Sequence, residues 1–331
     1  MKHSPSRTIT RRAILGGFAG GIVCAALPSM AAASYPDRAI RIVVPFPPGG
    51  ETDNFCRMVA DQLAQVLGQP TVVENRPGAN GMLACRQMVR ADPDGYTVLF
   101  GTAGTHALNL TVYKNPGYDP LRDFESFALI GSVPIIVYAN PEMPKDPQDL
   151  LALLKAHPGE YRYGGVYYGT AHLAMEKIQR VAGLRLEQIP YKGSQQAMLE
   201  TAAGITSLTT GSIGSGLPFV ESGKLQSVAV MAKDRLEIAH DIPTLEELGI
   251  RDCEASTWHV FSVPKGTPQP IVQKLNTAIG QVMADPAINA KAVAHGLVPT
   301  SGSTPESTTA YIRSEITHWA DIFKMMGAAP V

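Results

Sequence analysis

The residues best suited to hold a ligand lie in a loop rich in proline and glycine near the start of the chain. This loop runs from Pro45 to Gly50, between the apolar run Ile40–Val44 and a pattern of helical period that opens at about Asp53. Proline fixes such a loop, glycine lets a ligand approach the backbone, and the start of a helix favours an anion. The pattern indicates a carboxylate-binding loop, with an ordinary strand-to-helix connection as the alternative.

Further polar residues stand at the ends of later strand-like runs. Thr102, Thr105, Thr170 and Ser212 supply hydroxyl groups, and the glycines around them free backbone N–H groups. These groups hold an anion by hydrogen bonds without transforming it. Because ligands of parallel sheets bind outside the carboxyl ends of the strands, we expect these segments to face one crevice.

Several side chains in these segments have two interpretations. Asp53 either accepts a hydrogen bond from the ligand or stabilises the N-terminus of its own helix. Tyr167 and Tyr168 form either a flat wall of the pocket or part of the packing. His106 and His172 either meet in the cleft or serve as hydrogen-bond donors and helix-start residues.

The sequence lacks the motifs of common catalytic and metal sites. It contains no G-x-S-x-G, no Walker A, no H-E-x-x-H and no G-x-G-x-x-G after a strand. Its 8 histidines are dispersed, with no pair at i and i+4. We therefore predict no enzyme activity, no catalytic residue, no metal and no cofactor.

Residues 1–33 have the layout of a secretory signal. Basic residues including Arg11 and Arg12 precede an apolar run from Ala13 to Leu27, and small residues follow up to Ala33. We predict export to the periplasm and cleavage near Ala33, by the twin-arginine or the Sec route. A membrane anchor is disfavoured because the run is short and rich in glycine.

The exported chain is mildly acidic and holds widely spaced cysteines. Residues 1–33 contain four of the 28 basic residues and no acidic residue, which leaves 24 basic against 29 acidic residues, a net charge of −5. This charge disfavours nucleic acid as a partner. The three cysteines that follow the signal have no C-x-x-C spacing, so we expect small buried residues and no disulfide framework.

Strand and helix signals alternate along the rest of the chain, as in α/β proteins with largely parallel sheets. Two extended crossings are predicted, at Pro141–Pro147 and at Ala255–Val263. They suggest two lobes, each with a βα sheet, joined by a hinge with a ligand cleft between them. The long amphipathic patterns Ile271–Ala284 and Thr304–Met326 are expected to pack on the first lobe.

An ordered set of motifs across almost the whole exported chain resembles the Bug-type solute receptors, the periplasmic substrate-binding proteins of tripartite tricarboxylate transporters. The motifs are Tyr35–Gly50 with Asp53, Val73–Gly81, Pro93–Thr97, Gly101–His106, Tyr118–Pro120, Asp123–Phe124, Gly169–Leu173, Pro190–Gly193, Gly223–Leu225 and Pro264–Pro268.

The resemblance implies a two-lobed, periplasmic-binding-protein-like fold (type II-like) that closes on a small organic carboxylate. It implies a first lobe of residues 34–136 and 258–331, a second lobe of residues 137–257, and membrane transporter subunits as partners of a monomer. The expected ligand-binding residues are Phe46, Pro47, Pro48, Gly49, Gly50, Asp53, Gly101, Thr102, Ala103, Thr105, His106, Gly165, Tyr167, Tyr168, Gly169, Thr170, His172 and Ser212.

One departure from the family pattern bears on the ligand. Where the family usually carries an aspartate that meets the ligand, this chain has Thr210-Gly211-Ser212, and Tyr167 and Tyr168 replace small residues. Losing an acid and gaining two rings predicts a carboxylate without an amino group, aromatic or dicarboxylic. A receptor that presents its ligand to a membrane sensor and an enzyme on the same scaffold are the alternative functions.

Overall fold

The computed structural model describes Met1, residues 35–325, Gly327 and residues 329–331. The predicted signal, apart from Met1, lies outside the described residues. Tyr35–Val331 form one compact unit. No helix within residues 35–325 is long and apolar enough to cross a membrane.

Strands and helices alternate through this unit. In chain order they are β1 (Ile40–Val44), α1 (Glu51–Leu67), β2 (Thr71–Asn75), α2 (Met82–Met88), β3 (Thr97–Thr102), α3 (Asn109–Val112), α4 (Pro120–Asp123), β4 (Phe124–Pro134), β5 (Ile136–Ala139), α5 (Pro147–Ala156), β6 (Arg162–Val166), α6 (Thr170–Ala182), β7 (Glu187–Tyr191), α7 (Ser194–Ala202), β8 (Leu208–Gly211), α8 (Ile213–Glu221), β9 (Gln226–Val230), β10 (Ser256–Pro264), α9 (Gln269–Ala284), α10 (Pro286–Ala294), β11 (Val298–Pro299) and α11 (Pro305–Met325).

The first sheet has the strand order β11-β4-β10-β3-β1-β2. β1 runs parallel to β2 and β3, and β10 lies antiparallel between β3 and β4, with His259 opposite Thr102. Apolar residues of β1, including Ile40 and Ile42, pack with Phe55 of α1 and with Leu275 of α9. Burial of these side chains stabilises the sheet and places the carboxyl ends of β1, β2 and β3 side by side.

The second sheet has the strand order β7-β6-β8-β5-β9. β6 runs parallel to β7 and β8, and β5 lies antiparallel between β8 and β9. Its core includes Tyr163 of β6, Leu154 of α5 and Ile178 of α6. The ends of β6 and β8 therefore point toward the same edge, where α6 and α8 begin.

The passages of the chain between the two sheets lie next to each other. Ile135, between β4 and β5, donates its backbone N–H to the carbonyl oxygen of Ala255 over 3.0 Å. The carbonyl oxygen of Ile135 accepts from Met231 N–H over 2.8 Å, and Ala255 N–H donates to Met231 over 2.9 Å. These backbone bonds join both passages in one narrow connection.

The passages differ from the predicted crossings. The chain changes sheet at Pro134–Ile136, before the predicted crossing at Pro141–Pro147, because Pro134 lacks an N–H and ends β4. The second predicted crossing, Ala255–Val263, is mostly β10, a central strand of the first sheet. The lobe boundaries at 136/137 and 257/258 stay a prediction about which parts move together.

Candidate functional site between the two sheets

Three segments at the carboxyl ends of β1, β2 and β3 meet around Gly81. This glycine has a φ of +83°, and a Cβ added to it would lie 2.6 Å from Thr105 Cγ2 and 3.0 Å from Pro45 Cβ. Only a residue without a side chain fits this junction. The Pro45–Gly50 loop and the Gly101–His106 segment therefore lie beside each other, as expected from the sequence.

The loop before α1 leaves its outer residues accessible. Pro47, Pro48 and Gly49 are exposed, and Phe46 and Gly50 are half-buried. Gly50 is the residue before the helix and makes no side-chain cap. The first N–H groups of α1 thus have no capping side chain, which is the arrangement that suits an anion.

Asp53 has its carboxylate engaged within this loop. Its oxygens accept hydrogen bonds from Gly49 N–H, Arg57 Nε and Asn75 Nδ2, each over 2.9 Å. Burial raises the pKa of the Asp53 carboxyl, but these hydrogen bonds outweigh it and hold the pKa below its usual value. Of its two interpretations, the structure favours the one in which Asp53 organises the loop and the start of its helix.

The Gly101–His106 segment is closed by buried hydrogen bonds. Thr105 Oγ1 accepts from Thr102 N–H over 2.9 Å, and it lies 3.0 Å from Nδ1 of His106. Nε2 of His106 lies 3.0 Å from Ser262 Oγ. Gly101 makes room for the imidazole, since a Cβ at Gly101 would overlap the ring of His106.

His106 consequently supports the Gly101–His106 segment from its buried side. Its ring is fully buried, as is Ala103, and burial lowers the pKa of His106 to about 3, so the ring is neutral. The structure favours a supporting role for His106, because both ring nitrogens already have partners within the chain, and ligand contact by His106 stays a prediction. The Thr105 hydroxyl is likewise engaged within the segment, by the Thr102 backbone and by His106, and Thr102 is also buried.

The second sheet contributes an aromatic group at the end of β6. The rings of Tyr167 and Tyr168 have centroids 4.2 Å apart, and His172 stacks on Tyr167 at 5.0 Å. Nδ1 of His172 accepts from Tyr168 N–H over 3.0 Å, and burial lowers the pKa of His172 to about 4. The three rings pack against one another, and Tyr167 is 48% exposed and thus available for contact.

The helices that follow β6 and β8 begin differently. α6 starts at Thr170, which is half-buried, after Gly169, and this glycine supplies no side-chain cap. α8 is capped by Ser212, whose Oγ accepts from Ser215 N–H over 3.3 Å. Gly165 is buried within β6. The start of α6 therefore has no capping side chain, whereas that of α8 is partly satisfied.

Asn80 joins the two sheets directly. Its Nδ2 donates to the carbonyl oxygen of Tyr167 over 3.1 Å and to the hydroxyl of Tyr113 over 2.8 Å. Its own carbonyl oxygen accepts from Asn109 Nδ2 over 3.0 Å. A residue between β2 and α2 thus touches the loop between β6 and α6, so the strand ends of both sheets border one site.

Sequence reasoning missed three polar residues at this junction: Asn80, Glu51 and His259. Glu51 is the first residue of α1, where an acid is common, so nothing in the pattern marked it. His259 lies in β10, and only the pairing of β10 with β3 brings it to this edge. Of these three residues, only Asn80 had a signal in the sequence, because the glycines around it indicate a turn after a strand.

The candidate site presents backbone N–H groups, hydroxyl groups and aromatic rings, which are groups that can hold a small molecule. Within residues 35–325 there is no group of three or more His, Cys, Asp or Glu side chains that could hold a metal ion. A surface groove of about 640 Å³ lies elsewhere, beside Arg41 and Thr97 at the starts of β1 and β3. It is at the opposite edge of the first sheet and does not belong to the strand-end site.

Comparison with known proteins gives a match over most of the chain. The model of the tripartite tricarboxylate transporter family receptor, TctC, matches residues 55–328. Protein BugT of Bordetella pertussis is 34% identical over 302 residues, which cover 90% of this chain and 92% of BugT.

Solved structures agree with this match. The periplasmic binding protein BugD is 32% identical, with a TM-score of 0.84, over 90% of this chain and all (100%) of BugD. An R. palustris protein solved with adipate is 32% identical, with a TM-score of 0.86, over 90% of this chain and 100% of that protein. The predicted two-lobed α/β fold of periplasmic binding proteins is confirmed by these likenesses.

Proposed function

Because the chain belongs to the tripartite tricarboxylate transporter receptor family, as its sequence motifs predicted, we propose that it captures a small organic carboxylate between its two lobes. It delivers this ligand to the membrane subunits of a transporter. The protein acts as a monomer in the periplasm, and its signal is cleaved near Ala33. The adipate in a related R. palustris structure supports the carboxylate class.

The single observation that carries this proposal is the pair of uncapped helix starts at one junction. α1 begins after Gly50 and α6 after Gly169, and neither glycine provides a side-chain cap. Asn80 and Tyr167 hold the adjoining loops together. A carboxylate at this junction receives N–H groups from elements of both sheets, so binding favours the closed arrangement.

The direct test is a binding screen of the chain that begins at residue 34. We expect one class of carboxylates to raise the thermal midpoint. At a hundredfold excess over Kd, the ligand should stabilise the folded protein by about 2.7 kcal/mol. Mass spectrometry of the denatured sample identifies any ligand that is retained through purification. A protein that is free of retained ligand and shows no shift with any carboxylate contradicts the proposal.

A matched pair of variants locates the binding loop. Gly50→Leu should abolish the shift because the side chain blocks the approach to the backbone. The added Cβ itself fits, since the atom nearest to it is Pro47 O at 3.6 Å. Gly193→Leu is the control, because Gly193 also precedes a helix and has open space around it.

A deletion of the gene separates transport from sensing. Loss of ligand uptake supports transport, and uptake that persists supports the sensor alternative.

A further inference from the structure

The junction of the two sheets contains an acid that the predicted site does not include. Glu51 is the first residue of α1, and its side chain is only 17% exposed. Its Oε1 lies 3.7 Å from Nε2 of His259 in the first sheet. The hydroxyl of Ser212, at the end of β8 in the second sheet, stabilises its charged form. The carboxylate therefore lies between the lobes.

His259 points a buried polar atom at this carboxylate. The ring is fully buried, stacks on Phe100 with centroids 5.3 Å apart, and lies 5.2 Å from the ring of Phe55. Neither ring nitrogen has a hydrogen-bond partner among the described residues. A separation of 3.7 Å is too long for a hydrogen bond, but one donor atom can lie within about 3 Å of both Glu51 and His259.

The charge of Glu51 has no compensating cation nearby. Within residues 35–325 no lysine or arginine forms an ion pair with it, and the groups that face it are His259, Ser212 and Tyr138. Burial raises the pKa of Glu51 to about 7, an effect that the Ser212 hydroxyl partly offsets. Burial also lowers the pKa of His259 to about 3, so this ring is neutral and leaves the carboxylate uncompensated.

We propose that Glu51, together with His259, determines specificity by receiving a hydrogen-bond donor carried on the ligand, so that the site selects hydroxy- or amino-substituted carboxylates over unsubstituted ones. This inference rests on the proposed carboxylate-binding function. The N–H groups that hold the ligand carboxylate and the Glu51 side chain belong to the same helix turn. The hydroxyl or ammonium group of the ligand therefore lies close to the ligand's own carboxylate.

This inference replaces the expectation of a carboxylate without an amino group. That expectation assumed that the site has no acid, because Thr210-Gly211-Ser212 contains none. The structure places Glu51 beside Ser212, so α1 supplies the acid that the second sheet lacks.

The test compares ligands that share one carbon skeleton. Succinate, malate and aspartate differ only in carrying no substituent, a hydroxyl or an ammonium group. We expect malate, aspartate or both to bind at least about tenfold more tightly than succinate, as a charge-assisted hydrogen bond provides. Phenylpropanoate, phenyllactate and phenylalanine form the same series for an aromatic ligand.

Two variants test whether the ligand preference depends on the charge of Glu51 or on negative charge elsewhere on α1. Glu51→Gln keeps the size of the side chain and should reduce the preference for the donor-bearing ligand to less than about threefold. Asp61→Asn makes the same change on the exposed side of α1 and should leave the preference unchanged.

Proton exchange on binding distinguishes contact between Glu51 and the ligand from a purely structural role of Glu51. Calorimetry near pH 7, in buffers of different ionisation heat, should show proton release when aspartate binds, because an ammonium group favours the charged form of Glu51. Succinate should bind with proton uptake. Since this measurement uses the unmutated protein, it decides the question even if Glu51→Gln does not fold.

The outcomes distinguish this inference from the proposed function. If neither series binds, the carboxylate-binding function itself is contradicted. If succinate or phenylpropanoate binds as tightly as its substituted relatives, without proton exchange, the receptor stands and the role of Glu51 is refuted.

Discussion

The side-chain amide of Asn80 donates a 3.1 Å hydrogen bond to the carbonyl oxygen of Tyr167, across the boundary between the two sheets. The same amide donates over 2.8 Å to the hydroxyl of Tyr113, which fixes its direction from the first sheet. Because Tyr167 immediately precedes Tyr168 and the start of α6, this bond sets the position of the aromatic group relative to the Pro45–Gly50 loop.

Replacing Asn80 by glycine should weaken ligand binding about three- to tenfold, the value of one net hydrogen bond. Glycine accepts the φ of 51° at this position, so the backbone is not strained. Tyr113→Phe removes only the bond to Tyr113 and should cost less affinity. Asp252→Gly, at an exposed residue with a φ of 55°, is the control. Equal titration curves for Asn80→Gly and the control would show that the bond does not contribute to closure.

Replacing Gly81 by alanine should destabilise the protein and weaken binding together. The added Cβ overlaps Thr105 and Pro45, and the φ of +83° is unfavourable for alanine. Gly223→Ala has a φ of +68° with no atom within 4 Å of the added Cβ, so it reports the backbone cost alone, about 1 kcal/mol. Urea unfolding should give a loss for Gly81→Ala that exceeds this control by about 1–3 kcal/mol. Equal losses would contradict the tight junction.

Replacing Asp53 by asparagine should lower the free energy of unfolding by about 1–3 kcal/mol at pH 7, because three donors lose a charged acceptor. Since the folded pKa of Asp53 lies below its usual value, this stabilisation is present above about pH 4 and is lost as the pH falls through the folded pKa. Asp61→Asn, on the exposed face of the same helix, should change stability by less than about 0.5 kcal/mol. Similar losses in both variants would refute the organising role of Asp53.

Stability should fall as the pH falls from about 6.5 toward 4.5. Burial lowers the pKa of His106 and His259 to about 3 and that of His172 to about 4, so only the unfolded chain takes up these protons. Glu51, with a folded pKa of about 7, opposes this by holding one extra proton in the folded state. Well below pH 6.5, three protons taken up by the histidines and one already held by folded Glu51 leave a net uptake of about two protons on unfolding, a slope of about 2.7 kcal/mol per pH unit.

Chemical unfolding between pH 4.5 and 7 measures this slope. His172→Asn keeps an acceptor for Tyr168 N–H and should reduce the slope by about one proton, or 1.4 kcal/mol per pH unit. A stability that is flat or rises on acidification would contradict the neutral, buried state of these histidines.

The strand-end loops were predictable because their chemistry is local. Proline and glycine between an apolar strand and an amphipathic helix mark the Pro45–Gly50 loop whatever the rest of the fold does. The alternation of elements likewise predicted the α/β class. These features depend on residues that are neighbours in sequence, so the pattern was sufficient.

The roles of His106, His259 and Glu51 were not predictable because they depend on the order of strands in the first sheet. β10 follows β3 in space although the whole second sheet separates them in sequence, and this pairing brings Ser262 to His106 and His259 to Glu51. Only the three-dimensional pairing shows that His106 has partners for both nitrogens and His259 for neither.

The central place of β10 also sets the order in which a growing chain can finish folding. Every strand of the second sheet has been synthesised by Val230, but the facing edges of β3 and β4 lack their partner until residues 256–264 emerge. The first sheet, whose strands β1 to β4 are synthesised first, is thus completed last. The first sheet can therefore be completed only when the final quarter of the polypeptide has emerged.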